Sequence, residues 1–164
     1  MEHDELGSQT VTVREIMTER VVTTTPDRSV DEVARVLREH GFSGMPVVSA
    51  DGALVGMVSA YDIISKRGQT VGEIMSRGVI SVGEEASADQ VASLMGLHGI
   101  RRVPVVREGQ LVGIVSRSDL LRLFSVMRWT CTTCGYVERG LTRPAQCAQC
   151  GTTDLRLERE PPIG

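Results

Sequence analysis

Four cysteines carry the most specific chemistry in the sequence. Cys131-x-x-Cys134-Gly135-Tyr136 is followed, with twelve residues between the pairs, by Cys147-x-x-Cys150-Gly151. Two such turns each aim two thiolates at one point, and the glycine after each pair lets backbone amides turn toward sulfur. Cys131, Cys134, Cys147 and Cys150 therefore read as a closed tetrahedral four-sulfur metal site. Zinc is the first choice and iron the second, because tetrathiolate ligation does not choose between them. A second pattern occurs twice, as Gly56-x-x-Ser59-x-x-Asp62 and Gly113-x-x-Ser116-x-x-Asp119. Each copy ends in a carboxylate with two acceptor oxygens, and each Ser-x-x-Asp also fits the N-terminal cap of a helix. The two uses are compatible, since a serine that caps a helix holds the carboxylate three residues later.

Other chemistries find no support. There is no Gly-x-x-x-x-Gly-Lys loop and no Gly-x-Gly-x-x-Gly, so phosphate recognition would have to come from side chains. The histidines are His3, His40 and His98; the first falls in an expected loose tail and the others precede Gly41 and Gly99 as helix stops. With no nucleophile and base visibly paired, no enzyme activity is expected. A formal net charge of −3 over 164 residues gives no general attraction to nucleic acid or an anionic membrane. No apolar run is long enough to cross a bilayer, and the acidic start Met1-Glu2-His3-Asp4-Glu5 is unlike a signal peptide, so a cytoplasmic protein is expected. In that reducing compartment metal ligation is favoured over disulfides.

The elements that must position these groups are written twice. Glu15-Ile16-Met17-Thr18 recurs as Glu73-Ile74-Met75-Ser76, and His40-Gly41 to Val48 recurs as His98-Gly99 to Val106 at the same spacing. Gly56 to Asp62 recurs as Gly113 to Asp119 after a one-residue shortening that falls in a loop, so one supersecondary unit stands in tandem. Val21–Thr24 and Val79–Val82 suggest short strands rich in β-branched residues. Ser29 with Glu32, and Ser87 with Gln90, fit capping boxes that open amphipathic helices. Met45–Val48 and Leu54–Val58 flank an Asp51-Gly52 turn, and Val103–Val106 and Leu111–Val115 flank Glu108-Gly109. A final helix over Asp119–Met127, apolar on nearly every side, needs burial on more than one face. Each unit is thus β-α-β-β-α.

With its Gly-x-x-Ser-x-x-Asp stretches in place, residues 10 to 127 resemble a pair of CBS domains, often called a Bateman module. The resemblance implies an α+β fold in which two β-α-β-β-α repeats pack as a pseudo-twofold pair about two clefts, with modules joining further into a homodimer. It also implies an adenine-nucleotide sensor holding AMP, ADP, ATP or another adenosyl ligand, the carboxylates of Asp62 and Asp119 taking the ribose hydroxyls. The chemistry is sound, because two carboxylate oxygens can accept from a cis-diol and Gly56 or Gly113 allows close backbone approach. Ser59 and Ser116 would hold those carboxylates. Arg101-Arg102 stands where related modules often place basic residues, whereas the first repeat has Ser43-Gly44, so the Asp119 cleft is expected to be stronger for a charged nucleotide. Val13 and Val71 would by the same analogy supply cleft walls, although core packing explains them equally.

The stretch Trp129 to Cys150 resembles rubredoxin-like zinc ribbons, notably those of rubrerythrins, which implies a small metal-bound β ribbon. It has too few apolar residues to stand alone, so metal should supply much of its folding free energy. The expected organisation is a flexible tail 1–9, repeats at 10–66 and 67–127, a ribbon at 128–160 and a tail 161–164. Two alternatives accompany the sensor reading: an iron-binding, rubredoxin-like redox protein modulated by nucleotide, and a nucleic-acid-binding zinc-ribbon regulator. Residues 128–160 carry five arginines against four carboxylates, which is no basic stripe and fits a protein target docked by the ribbon better than nucleic acid.

Overall fold

A computed structural model of the chain describes residues 10–160, so the tails expected at 1–9 and 161–164 lie outside the described residues. In chain order the elements are α1 (Val13–Ile16), α2 (Val30–His40), β1 (Gly44–Val48), β2 (Leu54–Ser59), α3 (Ala60–Ser65), α4 (Val71–Ile74), β3 (Val82–Gly83), α5 (Ala88–His98), β4 (Arg102–Arg107), β5 (Gln110–Ser116), α6 (Arg117–Val126), β6 (Met127–Cys131), β7 (Val137–Glu138) and β8 (Leu155–Arg159). They fall into two compact units that interleave segments of both repeats. One holds residues 17–84 and 103–114; the other holds 10–16, 85–102 and the chain from 115.

In the unit of residues 17–84 and 103–114, α2 opens at Ser29, whose hydroxyl accepts the Glu32 N–H at 3.2 Å. Only this half of the expected box is recorded, and the Glu32 carboxylate lies 3.7 Å from Arg28. The helix stops as expected at Gly41, left-handed at φ 67°, with the Phe42 N–H reaching back to the Leu37 carbonyl at 2.9 Å. The buried face of α2, Val33 and Leu37, packs with Met45 and Val47 of β1, Val58 of β2, and Val71, Ile74 and Met75 in one cluster. β1 and β2 form an antiparallel hairpin, and β3, β4 and β5 form a second sheet in that order. The Glu108-Gly109 turn is tight, with both residues at positive φ (50° and 80°), as a twisted two-residue hairpin loop requires.

The expected strand at Val21–Thr24 is a single parallel bridge from Thr24 to Val47, and that at Val79–Val82 shortens to β3. β-Branched residues favour extended backbone, but a strand needs a partner along its length. The Thr24 N–H donates to Pro46 at 3.1 Å and its carbonyl accepts from Val48 at 2.9 Å, and there the ladder stops.

In the other unit, α5 opens on a complete Ser87–Gln90 capping box and ends at Gly99, left-handed at φ 63°. α6 differs from expectation at both ends: it begins at Arg117, directly after its cap Ser116, and Met127 leaves the helix to start β6. Met127 pairs with Arg159 across the three-stranded sheet β7-β6-β8, which competes successfully with one more helical residue. Burial of α6 is also one-sided, with Leu120 and Leu123 7% exposed but Leu121 68% and Phe124 40%. In the sheet, Trp129 is 1% exposed and its indole N–H donates to the Gly140 carbonyl at 2.9 Å, tying the loop after β7 to β6.

Candidate functional site

Both Ser-x-x-Asp stretches are complete capping boxes. Ser116 accepts the Asp119 N–H, while Oδ2 of Asp119 accepts the Ser116 N–H and hydroxyl, each at 2.8 Å. Ser59 and Asp62 repeat this at 2.8 and 2.7 Å. The cap therefore explains the residues without a ligand; what separates the copies is the second carboxylate oxygen.

In Asp62 that oxygen is 2.7 Å from the Lys66 ammonium, and the residue is only 6% exposed. Burial alone would raise the Asp62 carboxyl, but hydrogen bonds from Lys66 and Ser59 outweigh it and hold it below the usual carboxylate range. In Asp119 the corresponding oxygen is 3.6 Å from Arg122, a loose contact with an exposed guanidinium. Asp119 lines a cavity of about 320 Å³, together with Glu15 and Ile16, with Arg122, Leu123 and Val126 of α6, and with Arg159 and Glu160. This is within the size range of small-ligand sites, about 300–1,000 Å³. Burial would raise the Glu15 carboxyl, but hydrogen bonds from the Thr12 N–H and from Arg159 at 3.0 Å bring it down instead.

Arg101 and Arg102 are not among the residues lining this cavity. Arg101 is exposed on a bend and its carbonyl accepts from Arg117, and Arg102 starts β4. The cations at the cavity are instead Arg122 and Arg159. Arg122 was legible three residues along the helix from Asp119; Arg159 was not, because only the β6–β8 pairing brings it there. Val13 and Val71 are 0% exposed and belong to the core. Gly56 and Gly113 are both closely packed: a Cβ on Gly56 would stand 2.9 Å from the Ser76 carbonyl oxygen and 2.8 Å from Met75 Sδ, and one on Gly113 would stand 2.5 Å from Met17 Sδ, which would have to shift. A second cavity of about 380 Å³, lined by Thr23, Thr24 and Thr25 with Arg28, Arg35 and part of α2, lies in the other unit. Asp62 lines neither cavity.

The four thiols converge. Their sulfurs lie within 4.8 Å of one another, with Cys131 to Cys150 at 3.6 Å and Cys134 to Cys147 at 3.7 Å. A tetrahedral ion with metal–sulfur bonds of about 2.3 Å sets its sulfurs about 3.8 Å apart, so the array fits such an ion. Gly135 and Gly151 are left-handed at φ 77° and 75°, and their N–H groups return to the Cys131 and Cys147 carbonyls at 2.9 Å. Each turn also points an N–H at sulfur, from Cys134 to Cys131 and from Gln149 to Cys147, both at 3.4 Å. Burial would raise the Cys131 thiol, but N–H groups of Cys134 and Thr133 and the adjoining thiols bring it to about 6. Cys134 goes the other way, to about 12, the Tyr136 N–H being outweighed by burial and by the three neighbouring sulfurs. Without metal, the cluster therefore keeps protons that an ion must displace. Among the described residues no helix is long and apolar enough to cross a membrane.

Tandem repeats that each close on a Ser-capped helix define a class of two-repeat modules of mixed helix and sheet. The chain belongs to the CBS-domain family, whose profile matches residues 13–68 and 71–126 and ends before the cysteines. CBSX2 of Arabidopsis thaliana, solved in complex with AMP, is similar at 31% identity and a TM-score of 0.66 over 68% of this chain and 94% of that one. The CBS domain pair of protein MJ0100, solved with 5′-methylthioadenosine and S-adenosyl-L-methionine, is similar at 34% identity and a TM-score of 0.65, over 71% and 97%. An L-aspartate semialdehyde sulfurtransferase of Methanocaldococcus jannaschii is 34% identical over 127 residues, 75% of this chain. The chain spans a quarter, 25%, of that enzyme's length.

Proposed function

We propose that this chain is a regulatory module that binds an adenosyl ribonucleotide at Asp119 and carries a structural zinc ion on its four cysteines. The observation that carries the first part is the asymmetry between the two carboxylates. Both are fixed by their serines, but Asp119 lines a cavity and its Oδ1 has only the loose 3.6 Å contact with Arg122, while Oδ1 of Asp62 is held at 2.7 Å by Lys66. The AMP and S-adenosylmethionine complexes of similar CBS pairs support the ligand class. Arg122, whose guanidinium is exposed at the cavity, supplies positive charge there, and Arg101 and Arg102 remain candidates for a phosphate contact. Ser116 holds the carboxylate in register, and Gly113 keeps the preceding strand close to Met17. To act as a switch, the ligand must favour one packing of the two repeats over another, in the pseudo-twofold arrangement the family resemblance implies.

The cysteine geometry supports the metal, and zinc is the ion that needs no redox partner; metal analysis distinguishes it from iron. Assembly as a homodimer through the repeats fits the exposed apolar residues Leu121 and Phe124 on α6, and separately Tyr61 and Ile64 on α3. Calorimetric titration of the full chain with AMP, ADP, ATP and S-adenosylmethionine tests the reading. Saturable one-to-one binding that Asp119→Ala weakens supports it; no binding of any of the four overturns it.

A further inference from the structure

The cavity beside Asp119 is not made by the CBS repeats alone, because Arg159 ends β8 and Glu160 follows it. Arg159 reaches across to Glu15 at 3.0 Å, and the Glu160 N–H donates to the Val126 carbonyl at 2.8 Å. Glu160 also pairs with Arg128 and, at 3.4 Å, with Arg139, whose guanidinium donates to the Ser125 carbonyl at 2.6 Å. The end of the C-terminal sheet is thus fastened to the last turn of the helix that carries Asp119.

The far end of the same ladder is the thiol cluster. Cys131 closes β6 and pairs with Leu155 at the start of β8, while Met127 at the other end of β6 pairs with Arg159. Four residues of strand, about 13 Å, separate the two ends. An ion joining Cys131 to Cys147 and Cys150 clamps β6 to the segment entering β8. Without it, β8 is held by strand pairing, by the ion pairs of Arg159 and Glu160 and by few buried groups, chiefly Leu155. An edge strand with so few buried groups opens more readily than the core elements.

We infer that β8 is a metal-dependent wall of the nucleotide site: Arg159 contacts the bound ligand, and metal occupancy and nucleotide affinity are reciprocally linked. This rests on the reading of Asp119 as the ribose-binding carboxylate. By linkage, whatever factor the metal adds to ligand affinity the ligand must add to metal affinity.

The test uses the full chain, zinc-loaded and after chelation, titrated with AMP and with S-adenosylmethionine in a calorimeter. Circular dichroism checks that the repeats remain folded. Chelation is expected to weaken binding about tenfold or more, and saturating ligand to tighten zinc by the same factor in competition with a chromogenic chelator. Arg159→Ala, which leaves all four cysteines, is expected to weaken binding with zinc still bound, and Arg159→Lys to restore part of it. Equal affinity in loaded and metal-free protein, or unchanged affinity in Arg159→Ala, overturns the inference while leaving the Asp119 reading intact. Failure of both ligands to bind the zinc-loaded protein overturns both.

Discussion

Replacing Asp119 by alanine removes two things that a second substitution separates. Oδ2 of Asp119 accepts two hydrogen bonds from Ser116 at 2.8 Å, which stabilise the start of α6. Losing a cap of this kind costs about 0.5–2 kcal/mol of stability. Oδ1, which has only the 3.6 Å contact with Arg122, is the one available to ribose, and a hydrogen bond to a charged group contributes about 1.5–3 kcal/mol. One such bond corresponds to a ten- to hundredfold loss of affinity, roughly. Ser116→Ala removes the hydroxyl and leaves the carboxylate. It should lower stability by about 1 kcal/mol and weaken binding far less than Asp119→Ala does, because the Ser116 N–H still fixes the carboxylate at 2.8 Å. Urea unfolding and calorimetric titration with AMP read the two quantities separately. Should Asp119→Ala and Ser116→Ala weaken AMP binding equally, the carboxylate is only a cap and the reasoning fails.

Asp62 should make stability acid-sensitive: its folded pKa lies below the unfolded value, so its contribution is present at neutral pH and lost as pH falls below about 4 through the folded value. Urea unfolding from pH 3 to 7 should show that slope in wild type and a shallower one in Asp62→Asn. Gly113→Ala should destabilise by about 1–3 kcal/mol, because the new methyl meets Met17 Sδ at 2.5 Å, and Met17→Ala should recover part of the loss in thermal melts. Zinc uptake should release protons, since Cys134 is raised to about 12 and still protonated at neutral pH. Titrations in buffers of different ionisation enthalpy measure that release, and heats independent of buffer contradict it.

Much of this arrangement was legible because it is local. The helix stops at Gly41 and Gly99, the Glu108-Gly109 turn, the boxes at Ser59 and Ser116 and each Cys-x-x-Cys-Gly turn are set by residues within a few positions of one another. What was not legible depends on partners distant in sequence. Val21–Thr24 has strand-forming residues but finds a partner at one position. Met127 continues an apolar helical pattern but is taken by pairing with Arg159. Glycine at 56 and 113 suggests room for a ligand in the sequence, but the side chains nearest them are Met75 and Met17. Arg101 and Arg102 drew attention as adjacent guanidiniums, while the cations lining the Asp119 cavity come from the next turn of α6 and from the end of β8. Side-chain type suggested a phosphate contact; only tertiary pairing decides which arginine reaches the cavity.

The most direct measurement is a crystal structure of the zinc-loaded chain grown with AMP. The ribose diol is expected within hydrogen-bonding distance of Asp119 Oδ1, with α6 and Arg159 forming the walls. AMP held elsewhere, with the Asp119 cavity filled only by solvent, would contradict it.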